Sequence, residues 1–414
     1  MTNGDFLYLD CAATAPLSSI ISRNFYEASD IYGNPAAFYK EGERAYQTIE
    51  QSKHNILKNL NHSEDWDILF TSGATESINT VFHSYQPDLI IITNSEHSAT
   101  NQALYHVRNT DIIELDLAKD FTETPFYLVD LDKLTNIPER ILLSIIAVNN
   151  ETGIIISSTQ VNMIKEALQN KFKESEIIVH LDFTQGFCKI PYDMSNVDCY
   201  SFSAHKIGFF KGFGGLVYKK NTIDRYIKSN PLIKGGKQQN ELRAGTENPM
   251  FIYLLDKLIE SYMKDIANTY KKAKLLHTAF KQAIYTTVTP YLNQIDIVFN
   301  SDAMPAFETS PYIINVSLLG IEGESLVSTL GNEIGISTGS ACNDAALSGS
   351  TVIKNLYENT ISDSDKLDEY ANSAIRISYD NTLTIDKIVD KFIPAFDNAL
   401  KLLVRASTYK KGDQ

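Results

Sequence analysis

Between Trp66 and Tyr218 the chain returns repeatedly to short, almost wholly apolar runs, such as Ile68-Leu69-Phe70, Leu89-Ile90-Ile91-Ile92 and Ile141-Leu142-Leu143, with helical spacing between them. A strand that is apolar at every position must be buried on both faces, and a parallel sheet covered by helices does this. The pattern predicts strands at 66–71, 89–93, 112–115, 141–148, 177–181, 197–202 and 215–218. Helices are expected from about Ala37 to Asn61, from Thr75, near Ala99 and from Val161 to Lys171. The expected class is α/β, a large domain with a mostly parallel sheet covered by helices, plus a smaller α+β domain. A chain of 414 residues also exceeds the roughly 250–300 residues that one core holds. After Thr246 the texture changes to a long helical pattern from Pro249 to Tyr291, then to short strands and helices ending near Val404. We therefore expect a large domain over residues 15–261 and a small one built from 1–14 and 262–414.

Charge and cysteine content narrow the function. A formal net charge of −14 argues against direct nucleic-acid binding, which needs a basic surface, and suits a basic protein partner. Cys11, Cys188, Cys199 and Cys342 form no Cys-x-x-Cys pair and no zinc-like spacing with the histidines, so neither a disulfide framework nor a metal site is expected. No apolar run approaches the length of a membrane span. The start, Met1-Thr2-Asn3-Gly4-Asp5, lacks the basic and apolar regions of a signal peptide, which points to a cytoplasmic protein.

Residues able to carry chemistry fall at the ends of the predicted strands. Tyr200-Ser201-Phe202-Ser203-Ala204-His205-Lys206 alternates as a strand with a polar tip. A lysine at the end of a buried strand needs a partner or a covalent role, such as a Schiff base to an aldehyde cofactor; a lone lysine there also reads as a surface residue. Thr71-Ser72-Gly73-Ala74-Thr75-Glu76 joins a strand to a helix, so its backbone N–H groups form either an anion site or an ordinary cap. His97 follows a strand end, on the side where α/β sheets keep ligands, and equally fits an exposed loop. Asp182, with Gln185 beyond it, either keeps a cofactor ring nitrogen protonated or caps a turn. Asn150 reads as a turn residue. Cys342 lies in Gly339-Ser340-Ala341-Cys342-Asn343, whose small, polar residues keep a thiol accessible, whether reactive or idle. Arg376 alternates with apolar residues in a strand and needs a carboxylate, from a substrate or from the protein.

In this order along one chain, from about Leu7 to Arg376, the motifs resemble those of the cysteine desulfurases, class-V aminotransferase-like enzymes of pyridoxal 5'-phosphate fold type I. Their cofactor lysine ends a Ser-x-His-Lys signature like Ser203–Lys206. The resemblance implies that Lys206 holds pyridoxal 5'-phosphate and that Ala74, Thr75, Ser203 and His205 contact its phosphate. It implies that His97 stacks on the ring and moves protons, that Asp182 binds the ring nitrogen and that Gln185 binds the ring hydroxyl. Asn150 would touch that hydroxyl or the substrate carboxylate, and Arg376 would bind the carboxylate. Thr246, in Arg243-Ala244-Gly245-Thr246, would reach the phosphate of a neighbouring subunit in a homodimer. Cys342 would take the sulfur of L-cysteine as a persulfide, release L-alanine, and pass the sulfur to an acceptor protein.

The chain departs from the family pattern at Ala37 and Tyr39 (Ser and His are usual), at Phe183 (Ala or Gly), at Phe210, at Lys237 within a glycine stretch, and at Tyr379-Asp380 (Leu-Gly). These changes mark a divergent branch. They leave the sulfur's destination open among iron-sulfur assembly, tRNA thiolation and sulfur modification of DNA. One rival is an aminotransferase or selenocysteine lyase of the same fold; Cys342 discriminates, because transamination does not need it. The other is a catalytically silent scaffold subunit, which has no need of Asp182, His97 and Lys206 together.

Overall fold

The apolar runs become one sheet. In a computed structural model, which describes residues 6–120, 134, 137–338 and 349–406, its strands are β1 (Trp66–Thr71), β2 (Leu89–Thr93), β3 (Asp111–Leu115), β4 (Arg140–Ile146), β5 (Glu176–Asp182), β6 (Cys199–Ser203) and β7 (Gly214–Lys219). Their spatial order is β1-β7-β6-β5-β4-β2-β3, with β7 antiparallel to both neighbours and every other pairing parallel. Alternation along each strand divides the apolar residues between two faces. Leu89 and Ile91 join one core with Leu143, Val179 and Phe202, while Ile90 and Ile92 join another with Leu142, Ile178 and Leu216.

Helices close both faces. Ile21 and Ala28 of α1 (Ser19–Ser29) and Ile49 and Ile56 of α2 (Lys40–Asn59) enter the first core, and Ile78, Val81 and Phe82 of α3 (Ala74–Tyr85) enter the second. The helix expected from Ala37 thus begins at Lys40. The long pattern from Pro249 resolves into two helices, α4 (Pro249–Met263) and α5 (Ile266–Val288). The first starts with the Asn248 side chain accepting from Phe251 N, and the break comes at Asp265, whose φ of −145° and ψ of 38° are not helical.

A smaller antiparallel sheet carries β8 (Asp296–Phe299), β9 (Ile313–Leu319) and β10 (Ala374–Ser378), in that spatial order. Its core takes Phe280 and Ile284 from α5, Phe392 and Phe396, and also Leu7 and Leu9 from the start of the chain. The N-terminal segment runs beside this sheet, with Asp10 bridging to Ser378, and then reaches the large sheet, where Ala15 N donates to His205 O at 3.0 Å. Among the described residues no helix is long and apolar enough to cross a membrane, and Cys11, Cys188 and Cys199 are free and buried.

Candidate active site

Because β1, β2, β4, β5 and β6 run in one direction, their C-terminal ends share an edge of the sheet. The loops that leave this edge surround a cavity of about 260 Å³. Ala74 and Thr75 enter from β1, His97 from β2, Asn150 from β4, Asp182 and Gln185 from β5, and Ser203, His205 and Lys206 from β6. The strand register sets the closest of these side by side, since Asp182 pairs with Ile146 on one side and Ser201 on the other.

One end of the cavity is built for an anion. Gly73 turns the chain from β1 into α3 with a φ of +153°, a conformation that side chains disfavour. The Ala74 N–H at the helix start donates to Ser203 Oγ at 2.8 Å. The N–H groups of this first turn and the Ser203 hydroxyl therefore converge where the helix dipole favours negative charge. His205 Nδ1 lies 3.1 Å from Thr14 Oγ1. Burial, then the charges of Lys206, Lys211 and Lys189, push His205 down to about 4, so it is uncharged at neutral pH.

The other end holds the titratable groups. Lys206 Nζ donates to the carbonyl oxygens of Ala12 and Ala13 at 2.7 and 2.8 Å. Asp182 Oδ1 accepts from Thr184 N at 3.0 Å. His97 Nδ1 accepts the Ala99 N–H at 3.0 Å, which leaves the proton of a neutral ring on Nε2. Burial lowers the His97 pKa; the Asp182 charge opposes this, and Lys206 and Arg376 add to it. Behind this wall Glu96 is buried, its Oε1 accepting from Thr93 Oγ1 at 2.7 Å and Ile146 N at 2.8 Å. Burial pushes its carboxyl up to about 8, against those hydrogen bonds and with the help of the Asp182 charge.

Two expected residues stand apart from this cavity. Arg376, 4% exposed, donates through Nη2 to Asp10 Oδ1 at 2.8 Å and through Nη1 to Asn150 O at 2.9 Å, while its buried Nε has no hydrogen-bond partner among the described residues. Thr246 lines a separate cavity of about 200 Å³ beside Ser72 and Arg243. Cys342 lies outside the described residues, as does the C-terminal stretch 409–414 with its two lysines. The sequence reading missed the carbonyls of Ala12 and Ala13, because backbone acceptors leave no side-chain signature. It also missed Asp10 as the partner of Arg376.

The donor set fits pyridoxal 5'-phosphate. A helix N-terminus with Ser203 suits its phosphate, the Lys206 amine its aldehyde, Asp182 its ring nitrogen, and the imidazole of His97 shares the same cavity. The aminotransferase class-V family model matches residues 7–388. The chain is 31% identical to the cysteine desulfurase IscS of Buchnera aphidicola subsp. Acyrthosiphon pisum, over 92% of this chain and 90% of that protein. It is 29% identical to the mitochondrial cysteine desulfurase of Candida maltosa, over 97% of this chain and 78% of that one. Among solved structures, the NifS-like protein from Rickettsia africae superposes with a TM-score of 0.77 at 26% identity, covering 96% of this chain and 99% of that one.

Proposed function

The chain belongs to the aminotransferase class-V family and, within it, to the pyridoxal 5'-phosphate-dependent cysteine desulfurases, and from that premise we propose the part each residue plays. The observation that carries the proposal is the convergence of Lys206, Asp182 and His97 on one cavity whose far end is a helix N-terminus. When bound, the cofactor supplies an aldehyde carbon for an amine and a ring that accepts electrons. Asp182 keeps the ring nitrogen protonated. Lys206 would hold the cofactor through its amine, and that amine and the His97 imidazole would move protons in the same cavity. Arg376 and Asn150 receive the substrate carboxylate.

Cys342 then attacks the substrate sulfur. A bond forms between the two sulfurs, the Cβ–Sγ bond of L-cysteine breaks, and the carbon takes a proton, so that thiol and cysteine become persulfide and alanine with no external oxidant. What supports a role for this stretch is where its flanks attach. Ser337 Oγ donates to Asp10 Oδ1 at 3.1 Å, beside Arg376, and Ser350 Oγ donates to Glu151 Oε2 at 2.6 Å, next to Asn150.

The proposed assembly is a homodimer in which Thr246 serves the partner's phosphate site. Its place outside the cavity of its own chain supports this, as do the exposed aromatic residues concentrated between 25 and 46, among them Tyr26, Tyr32 and a fully exposed Phe38. A cytoplasmic setting fits the three unpaired, buried thiols, and the acidic surface suits a basic sulfur-acceptor protein, whether for iron-sulfur assembly or another pathway. The test is sulfide and alanine release from L-cysteine by the cofactor-loaded protein, with Cys342→Ala alongside. Loss of both products with the cofactor absorbance intact is expected; turnover untouched by the substitution would overturn the role of Cys342.

A further inference from the structure

A second cavity, of about 70 Å³, lies against Lys206, which belongs to the walls of both this cavity and the larger one. Its other titratable lining groups include Cys11, Lys189, Tyr262, Tyr312, Tyr379 and Asp380, with Asn381 and Thr382 beside them. Tyr379 and Asp380 stand where the family pattern has Leu and Gly, so the lining departs from that pattern.

Lys189 is a half-buried lysine that the reaction above does not use. Its Nζ donates to Gln185 Oε1 at 3.2 Å, and Gln185 Nε2 donates to Ala12 O at 2.9 Å, the same carbonyl that Lys206 Nζ approaches to 2.7 Å. These partners fix the direction of the amide. An ammonium only donates and a backbone carbonyl only accepts, so Oε1 faces Lys189 and Nε2 faces Ala12. The second hydrogen on Nε2 is then left for the cavity that Gln185 lines.

We propose that Lys189 is a positioning residue for the reaction: by holding Gln185 Oε1, it makes Gln185 present an N–H to the ring oxygen of the bound cofactor. This rests on the assignment of Gln185 to the ring hydroxyl. The ring oxygen and the nitrogen through which Lys206 holds the cofactor compete for one proton. A donor on the oxygen weakens its hold on that proton and lowers the pH at which the nitrogen gives it up. Burial pushes the Lys189 amine down to about 8; Cys11 and Asp380 oppose this, and Lys206 and Arg376 add to it. Cys11 and Tyr262 are each pushed up to about 12 by burial, and Tyr312 and Tyr379 higher, so none of these neighbours changes charge in the neutral range.

The test is a pH titration of the visible absorbance of the full-length protein loaded with pyridoxal 5'-phosphate. It compares wild type, Lys189→Met, Gln185→Leu and the double variant, with circular dichroism and cofactor content recorded for each. The midpoint is expected to rise by about one pH unit in Lys189→Met and equally in Gln185→Leu, with no further rise in the double variant, because both changes remove one interaction. Lys189→Arg, which keeps a donor, restores the wild-type midpoint. A shift in Gln185→Leu without one in Lys189→Met overturns the role of Lys189 alone. No shift in either overturns the Gln185 assignment beneath it, and additive shifts overturn the claim that Lys189 acts through Gln185. Should Lys189→Met fail to fold, Lys189→Ala, which also removes the donor, takes its place under the same outcomes.

Discussion

Ser350 Oγ donates to Glu151 Oε2 at 2.6 Å, tying the chain just beyond the cysteine-bearing stretch to the turn that follows β4. The same hydroxyl accepts from Ile353 N at 3.1 Å and so caps the helix Thr351–Tyr357. Burial holds the Glu151 carboxyl above its usual range, opposed by Ser350 and by the charge of Arg376. Ser350→Ala is expected to cost about 1–2 kcal/mol of stability through the lost cap and hydrogen bond. Sulfide release from L-cysteine should fall about tenfold, the equivalent of one such bond in positioning, while the cofactor absorbance is unchanged. Denaturant titration and a sulfide assay on the same preparation check the two effects separately.

The Phe183 ring lies on the backbone of Gly186, where an added Cβ would come within 2.2 Å of Phe183 Cε2. Phe183 is 5% exposed and packs against Tyr192 and Tyr200, so the ring has little room to withdraw. Gly186→Ala should therefore destabilise by about 1–3 kcal/mol through overpacking. Phe183→Ala should cost about 3 kcal/mol through the cavity it leaves. Together they should cost less than their sum, because removing the ring makes space for the methyl group. A double-mutant cycle by chemical denaturation measures that coupling; strict additivity would show that the two positions do not share this space.

Glu96 predicts a pH dependence of stability with a definite sign. Its folded carboxyl keeps its proton up to about pH 8, against a usual value of 4.5. Between these two values the unfolded chain has lost a proton that the folded chain still holds, so raising the pH favours unfolding. Glu96→Gln has no such proton, and its amide oxygen can still accept from Thr93 and Ile146. The stability of the variant relative to wild type should rise by about 5 kcal/mol as the pH increases through this window, then level off above it. Denaturation curves at a series of pH values test this. A flat difference would mean that Glu96 is already ionised in the folded protein.

What the sequence made legible was local. Lys206, Asp182 and His97 could be placed because each stands at a fixed offset from the end of an apolar run, and parallel strands bring such ends together. Phe183 was visible as a departure, but not the close seating of its ring on Gly186. The break at Asp265 carried no glycine or proline to announce it. Contacts distant along the chain were invisible. Asp10 and Arg376 are separated by 366 positions, and nothing in either motif names the other. Thr246 lines a cavity other than the one that holds Lys206, and nothing in its motif announces that separation.

The pairing of Arg376 with Asp10 makes the last prediction. Asp10 accepts from Arg376 Nη2, and Asn150 O takes Nη1, so a substrate carboxylate reaching this guanidinium must compete with a carboxylate already there. Asp10→Asn keeps the shape of the site and removes the competing charge. The arginine, 4% exposed, is then a buried cation without a counter-charge, which should cost about 3 kcal/mol. A ligand carboxylate can restore that charge balance. L-Alanine, the product, should therefore raise the melting temperature of cofactor-loaded Asp10→Asn by more than it raises that of wild type, since binding only the folded state stabilises in proportion to affinity. The KM for L-cysteine should fall in the same variant. If alanine stabilises both proteins equally, Arg376 meets no ligand carboxylate, and its pairing with Asp10 is purely a strut between the N-terminal segment and β10.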